Sequence, residues 1–180
     1  MSRIELLTRD GARGESRQLL EQVHGAFGAT PNMFRAVANS PAALASMWGA
    51  FGALGAGTLG AKLGEQIAVA VADQNDGEYC LAAHTVLGRK AGATGEEMAA
   101  AQAGQSADPK TAAALKFAVT VVKQRAKIQA ADVESLRNVG FTDGEVMEIM
   151  GHIALNLFTN YVNVAFDVPV DFPQVKLRAK

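Results

Sequence analysis

Cysteine is almost absent from this chain, and neither sign of charge is in excess. The 180 residues contain one cysteine, Cys80, which excludes an internal disulfide and a zinc site made of several cysteines. Seventeen Lys and Arg residues stand against eighteen Asp and Glu residues, which gives a formal net charge of −1. A protein that tracks nucleic-acid phosphates needs a basic excess, so this balance argues against a nucleic-acid partner.

Long apolar runs are scarce as well. Residues 1–5 carry charges where a signal peptide needs an apolar segment. The stretch between Arg35 and Lys62 holds no charged residue, but it is rich in Ala and Gly and includes Pro41, so it is too weakly apolar to span a bilayer. The basic end at 176–180 is expected to be solvated. We therefore expect a cytoplasmic protein without membrane contact.

Helical patterning dominates what is present. Apolar residues make up 49% of the chain and recur at helical spacing, whereas no segment shows the alternation typical of a half-buried strand. We predict an all-α protein that forms one domain over residues 1–180. The predicted helices are 15–27, 31–38, 41–55, 61–74, 76–91, 95–103, 109–127, 132–138 and 143–166.

Capping patterns support these helix starts. One pattern is a capping side chain directly before a proline, and the other is Ser, Thr or Asn three residues before a Glu. In both, side-chain oxygens accept hydrogen bonds from the free backbone N–H groups of the first helical turn. The predicted caps are Thr30-Pro31, Ser40-Pro41, Asp108-Pro109, Asn75 with Glu78, Thr94 with Glu97, and Thr142 with Glu145. Gly140 is predicted to end a helix in the left-handed conformation.

Gly55, Gly57 and Gly60 match the pattern G-x-G-x-x-G. A dinucleotide site needs a strand before this pattern and an acidic residue on a following strand. A helical pattern precedes it here, so we interpret the glycines as a turn. We predict neither a cofactor nor a bound metal ion.

Cys80 and His84 are the first candidates for chemistry. Four residues apart on one helix, they place an imidazole one turn from a thiol, where it can help to form the nucleophilic thiolate. The positive end of the helix dipole also favours the thiolate. Glu65 lies as far before the turn at Asn75 as His84 lies after it, to within one residue, so antiparallel helices would bring the two together. The alternative is a structural Cys/His pair in the core and a solvated Glu65.

The segment 65–84, with EQIAVA at its start and EYCLAAH at its end, resembles the alkylhydroperoxidase D and carboxymuconolactone decarboxylase family. The family pattern is a Glu, then a Cys-x-x-Cys after a helix and a turn, then a His four residues after the second Cys. Glu65, Cys80 and His84 fit the Glu, the second Cys and the His. The motif core covers about residues 45–95, and the last helix resembles a peroxidase-related branch of the family.

This resemblance implies a bundle of helical hairpins, like that of alkylhydroperoxidase D, assembled into trimers or hexamers. It implies a peroxidatic thiolate at Cys80, its base at His84 and a relay carboxylate at Glu65. Gly77 stands where the family has its first, resolving cysteine, so an oxidised Cys80 must be reduced by an external thiol or by another subunit. The expected function is a peroxidase-like oxidoreductase acting on a hydroperoxide.

Two other functions stay open. The decarboxylase branch keeps a His at the position of His84 and has another on the last helix, near His152. His84, Glu65 and His152 would then perform acid–base chemistry on a small cyclic acid or lactone. The missing resolving cysteine also leaves a non-catalytic, oligomeric binding or scaffold protein open.

Polar residues form a stripe along the last predicted helix, where His152, Asn156, Asn160 and Asn163 recur at helical spacing. The stripe would face a ligand or another subunit, or it would form a hydrogen-bonded seam between helices. His152, Asn156 and Asn160, together with Tyr79, are the secondary site candidates.

Overall fold

A computed structural model describes residues 2–179 of the chain. These residues form nine α-helices and no β-strand, which confirms the all-α prediction. The helices are α1 (Gly14–Phe27), α2 (Asn32–Val37), α3 (Pro41–Gly55), α4 (Ala61–Gln74), α5 (Glu78–Lys90), α6 (Gly95–Gln102), α7 (Pro109–Lys123), α8 (Ala130–Asn138) and α9 (Asp143–Ala165).

The predicted helix boundaries agree with the observed ones to within a few residues. α3 and α4 begin and end where the sequence pattern placed them. α7 ends at Lys123 rather than at 127, because Arg125 and Ala126 take left-handed φ angles of 52° and 61° that stop the helix. α5 begins at Glu78 rather than at 76, because Asp76, with a φ of 55°, turns the chain.

Most of the predicted caps are confirmed, and two are wrong. The Ser40 side chain accepts from Ala43, and the capping boxes at Thr94 and Thr142 form as predicted. Asn75 does not cap α5, whose N-cap is Gly77; Asn75 ends α4 instead. Thr30 does not cap α2 either, because Pro31 holds that position. The Thr30 hydroxyl instead lies 3.4 Å from Nδ1 of His24.

The centre of the fold is α4. Its residues 66–73 are all buried, and it packs against α5, α6, α7 and α9. Ile67 to Ala72 alternate between β-branched and small residues, so neighbouring helices approach it from every side. A short turn at 75–77 returns the chain, and α5 packs back along α4 as a helical hairpin. This hairpin carries the candidate motif.

The glycine-rich segment 55–60 is the turn between α3 and α4. Glu148 of α9 anchors it, because its carboxylate accepts hydrogen bonds from Thr58 N at 2.7 Å and from Leu59 N at 3.2 Å. A Cβ on Gly57 would lie 2.6 Å from Oε2 of Glu148, so a side chain there would collide with the anchor. The glycine at 57 is therefore explained by close packing within the turn.

The uncharged stretch between Arg35 and Lys62 forms the end of α2, all of α3 and the turn before α4. α3 packs on α1, α2 and α9, with Leu44 and Met47 buried in the interface. Nowhere in residues 2–179 is a helix both long and apolar enough to cross a membrane.

The end of the chain is held to the core through its backbone, while Lys176, Arg178 and Ala179 are exposed, as expected for the tail at 176–180. Asp73 accepts a hydrogen bond from the backbone N–H of Arg178 at 3.0 Å, and Gln102 donates to the carbonyl of Lys176 at 2.9 Å. Leu177 packs against the core. The signal that sequence reasoning missed is the apolar residue placed among the basic ones.

Candidate active site

The α4–α5 hairpin brings Glu65 and His84 into direct contact. Oε2 of Glu65 lies 2.6 Å from Nδ1 of His84, which confirms the predicted approach of the two side chains. The side chains of His84 and Glu65 are 10% and 22% exposed, so solvent screens this pair only in part. A carboxylate at Nδ1 fixes the proton on that nitrogen and leaves Nε2 with the lone pair of the neutral ring. The pair therefore presents an oriented base.

Cys80 is the third residue of α5 and is 1% exposed. Its thiol donates to Oγ1 of Thr159 at 3.6 Å, and its sulfur accepts from Nδ2 of Asn163 at 3.2 Å. No hydrogen bond joins Cys80 to His84 among the described residues. The second contact of the expected Glu65–His84–Cys80 relay, between His84 and Cys80, is thus not formed, because the sulfur bonds instead to polar groups on α9.

Burial raises the pKa of the Cys80 thiol, and the polar side chains of Thr159, Asn163 and Asn160 offset only part of that effect. The net pKa lies above the ordinary value. From the sequence, the helix dipole and the imidazole are expected to favour the thiolate. The structure corrects this expectation, because desolvation of the sulfur outweighs the favourable polar groups.

Cys80 and His84 line the same small cavity, here called the thiol cavity. Its volume is about 30 Å³, which is room for about two water-sized oxygen atoms. The rest of its wall is almost entirely apolar and aromatic. The aromatic residues of the wall are Phe27, Phe34, Phe51, Tyr79 and Phe172. The sulfur and the imidazole thus share a compartment that a small oxygen-containing group can enter.

Tyr79 is a wall of this cavity. Its hydroxyl accepts a hydrogen bond from the backbone N–H of Met33 at 3.2 Å, and its ring meets that of Phe172 edge to face at 5.7 Å. Burial, together with the nearby carboxylate of Asp171, raises the pKa of the phenol. The phenol is thus neutral and is held in the wall of the cavity by its contacts with the protein.

His152 lies on the other side of the Glu65–His84 pair. The three side chains line a second cavity of about 100 Å³, here called the imidazole cavity. A Cβ on Gly64 would lie 2.8 Å from Cε1 of His152, so the missing side chain is what lets the ring pack on α4. Burial lowers the pKa of His152, although the carboxylates of Glu65 and Glu148 act in the opposite direction. His152 is therefore a neutral imidazole at physiological pH.

The polar stripe of α9 forms a seam against the α4–α5 hairpin. Asn156, Asn160 and Asn163 are all buried. Asn160 accepts a hydrogen bond from the side chain of Asn75 at 3.0 Å, and Asn163 donates to the sulfur of Cys80. Asn156 donates to the carbonyl of His152 within α9 and also lines the imidazole cavity.

Sequence reasoning missed the contacts of Thr159 and Asn163 with the sulfur. Asn163 was recognised as part of the stripe but not as a site candidate. Thr159 lies three residues after Asn156 and four before Asn163, on the same helical face. That spacing places Thr159 in the polar stripe and is the sequence feature that could have identified it as a site residue.

The model of the carboxymuconolactone decarboxylase family matches residues 41–124. The fold is similar to the alkylhydroperoxidase AhpD core of an uncharacterized peroxidase-related protein from Ralstonia eutropha JMP134, with 25% identity and a TM-score of 0.86 over 94% of this chain and 92% of that one. An uncharacterized peroxidase-related protein from Silicibacter sp. TM1040 is also similar, with 25% identity and a TM-score of 0.82 over 93% and 91% of the two chains.

A more distant likeness shows the fold alone. The debrominase Bmp8, as a cysteine-to-alanine variant in complex with 2,3,4-tribromopyrrole, shares 20% identity with a TM-score of 0.80 over 95% of this chain and 94% of that one. No curated protein sequence matches the chain significantly. The family-model match, the shared fold and the Glu, Cys and His of the α4–α5 hairpin agree with one another. Residues 41–124 therefore carry the sequence pattern of the carboxymuconolactone decarboxylase family, within a fold similar to that of peroxidase-related proteins with an alkylhydroperoxidase AhpD core.

Proposed function

We propose that the protein is a thiol-dependent peroxidase that reduces organic hydroperoxides with Cys80 as its nucleophile. The observation that carries the proposal is the thiol cavity, where the sulfur of Cys80 and the imidazole of His84 line one small compartment. A peroxide bound there would lie between the nucleophile and a base oriented by Glu65. The peroxidase-related names of two similar structures support the same class of reaction.

The reaction begins with a proton transfer across the cavity. Because the free thiol is buried and protonated, it needs the entering molecule to carry its proton to Nε2 of His84. The thiolate then attacks the terminal oxygen of the hydroperoxide, forming an S–O bond and breaking the O–O bond. His84 returns the proton to the leaving alkoxide. The balance is one thiol and one hydroperoxide consumed, one sulfenic acid and one alcohol formed.

The walls of the cavity favour an apolar substituent on the peroxide. Phe34 and Phe51 pack tilted against each other at 5.9 Å, and Phe27 packs on Phe34 at 5.6 Å with its side chain partly exposed. An alkyl or aryl group that covers Phe27 would be removed from water together with the ring. We therefore expect a higher kcat/KM for cumene hydroperoxide than for hydrogen peroxide.

An external thiol completes the cycle. Cys80 is the only cysteine, and Gly77 stands at the place of the resolving one. Two external thiols convert the sulfenic acid back to the thiol, releasing water and one disulfide. We expect the reductant to reach the sulfur through the thiol cavity, because Cys80 is buried and lines that cavity.

Peroxide consumption with dithiothreitol as the reductant tests the proposal. Cys80→Ser should abolish turnover, and His84→Asn should lower kcat/KM by about 100-fold or more, as the loss of a general base does. His24→Asn is the matched control, since His24 lies on α1 and contacts Thr30. Equal rates for the wild type and Cys80→Ser would contradict the proposal.

The imidazole cavity favours a second candidate function, acid–base chemistry on a small cyclic acid or lactone. His84, Glu65 and His152 face about 100 Å³ of space there without involving the thiol. Lactone consumption that is lost in His152→Asn but kept in Cys80→Ser would support this candidate. A protein without either activity would be the oligomeric binding or scaffold member that the sequence leaves open.

We also propose that the chain forms a homo-oligomer, a trimer or hexamer, through the outer face of α9. Met147, Phe158 and Tyr161 are 68%, 42% and 60% exposed, and they share one face of the helix with the small residue Ala154. Phe158→Glu should lower the mass measured by light scattering. Ser135→Glu, which adds the same charge to the exposed surface of α8, should not. A wild type that is monomeric at every concentration would contradict the proposal.

A further inference from the structure

Two polar atoms near the sulfur of Cys80 are buried without a partner. Asn160 is fully buried and Asn163 is 4% exposed. In each side chain one amide atom is bonded, but Nδ2 of Asn160 and Oδ1 of Asn163 have no hydrogen-bond partner among the described residues. Buried polar atoms without partners are rare in folded proteins, and each one calls for an explanation.

Both atoms belong to side chains that act directly on Cys80. Nδ2 of Asn163 donates to the sulfur at 3.2 Å, so Oδ1 of the same amide lies beside it. The Asn160 amide also lies near enough to the sulfur to lower the pKa of the thiol as a hydrogen bond does, although the contact does not have the full geometry of a hydrogen bond. A free donor and a free acceptor therefore lie close to one sulfur atom.

Asn160 also occupies the space next to Gly77. A Cβ on Gly77 would lie 3.2 Å from Cγ of Asn160 and 3.5 Å from its Cβ. Gly77 is the position at which the family pattern has its resolving cysteine. An amide thus lies next to the place where a second thiol would otherwise stand.

A sulfenic acid matches this pair of atoms. Its oxygen accepts hydrogen bonds and its hydroxyl donates one, so a single S–O–H group can accept from Nδ2 of Asn160 and donate to Oδ1 of Asn163. We propose that, after rotation about the Cα–Cβ bond of Cys80 turns the new S–O bond from the thiol cavity toward α9, Asn160 and Asn163 bind the hydroxyl group of the sulfenic acid. They then hold the enzyme at that oxidation state until an external thiol reduces it. This inference rests on the proposed oxidation of Cys80 by a hydroperoxide.

The arrangement would protect an enzyme that lacks a resolving thiol. Over-oxidation requires the sulfenate anion to attack a second peroxide, which yields a sulfinic acid. An acceptor at Oδ1 of Asn163 favours the protonated sulfenic acid over the anion. The bound hydroxyl is therefore a poorer nucleophile, and it persists longer at a given peroxide concentration.

Mass spectrometry of the tryptic peptide 63–89 after treatment with increasing hydrogen peroxide tests the inference, because this peptide contains Cys80 and no methionine, so every oxygen added to the cysteine can be counted. Wild-type protein should stop at one added oxygen over a wide range of peroxide. Asn160→Leu and Asn163→Leu should reach the sulfinic acid at about tenfold less peroxide, as the loss of one hydrogen bond implies. Gln102→Met is the control, since it removes a buried amide that bonds Asp73.

The outcomes separate this inference from the proposed function. A wild type whose Cys80 gains no oxygen would overturn both. Over-oxidation at the same peroxide concentration in wild type and variants would overturn the inference alone. Thermal unfolding of the wild type decides the case if the variants do not fold. The sulfenic form should unfold at a higher temperature than the thiol, because two buried atoms gain partners, and an equal or lower midpoint would refute the binding site.

Discussion

Adding one methyl group to α4, by the substitution Gly64→Ala, should show whether His152 packs tightly against this helix at the imidazole cavity. Gly64 is buried within α4, and a Cβ there would lie 2.8 Å from Cε1 and 3.3 Å from Nδ1 of His152. Gly25 lies in α1 and is exposed, and nothing lies within 4 Å of a Cβ built on it. Both glycines have ordinary helical backbone. The same substitution, Gly→Ala, therefore adds the same atom in two opposite environments.

The expected changes in the free energy of unfolding differ in sign. In a helix interior, Ala is more stable than Gly by about 1 kcal/mol, so Gly25→Ala should stabilise the protein by that amount. At Gly64 the same gain is opposed by overpacking, which costs about 1–3 kcal/mol when a rigid ring must move. Because contacts under 3 Å are essentially forbidden, we expect the upper part of that range and a net loss of about 1–2 kcal/mol.

Urea unfolding and thermal unfolding measure both variants. For a chain of this length, 1 kcal/mol changes the melting temperature by about 2–4 °C, so the midpoints of the two variants should move apart in opposite directions. The displaced imidazole should also change the 1H–15N chemical shifts of the His84 ring, which shares the cavity with His152. A Gly64→Ala variant as stable as Gly25→Ala would refute the packing of His152 against α4.

Three further predictions concern the end of the chain, the 55–60 turn and the thiol. Asp73→Ala should destabilise the protein by about 1–3 kcal/mol and speed hydrogen exchange at the amide of Arg178, because that amide loses its acceptor; unchanged exchange would contradict the contact. Desolvation raises the pKa of Glu148, but hydrogen bonds from Thr58 and Leu59 outweigh it and lower the net pKa. The stability that Glu148 contributes is thus present above about pH 4 and lost on acidification, and Glu148→Gln should flatten the acid branch of a stability–pH curve. Alkylation of Cys80 without peroxide should be slow at pH 7 and still rising at pH 9, because burial raises the pKa of the thiol; a plateau near neutral pH would contradict this.

The helices and one contact of the site were predictable because their causes are local. Apolar spacing and capping residues specify where a helix begins and ends, and α3 and α4 follow them to the residue. The contact between Glu65 and His84 followed from equal rise along two helices joined by a short turn. The start of α5 was missed because Asp76 takes a left-handed conformation that only the packed turn explains.

The partners of the sulfur were not predictable in the same way. Thr159 and Asn163 lie about 80 residues further along the chain, and periodicity shows only that they share a face of α9. Which neighbour that face meets depends on how α9 rotates about its axis in the packed fold. The raised pKa of Cys80 has the same origin, because it results from burial beneath α9 rather than from its position on α5.

One imidazole serves two cavities, and this restricts what the site can do at one time. Nδ1 of His84 is held by Glu65, so Nε2 is the only nitrogen of the neutral ring that can accept a proton. Both the thiol cavity and the imidazole cavity are lined by this ring. The two proposed activities, thiol activation in one cavity and acid–base chemistry in the other, would therefore compete for the same imidazole. A molecule that fills the imidazole cavity and engages Nε2 should inhibit peroxide reduction without touching Cys80, because it removes the base and leaves the buried sulfur protonated.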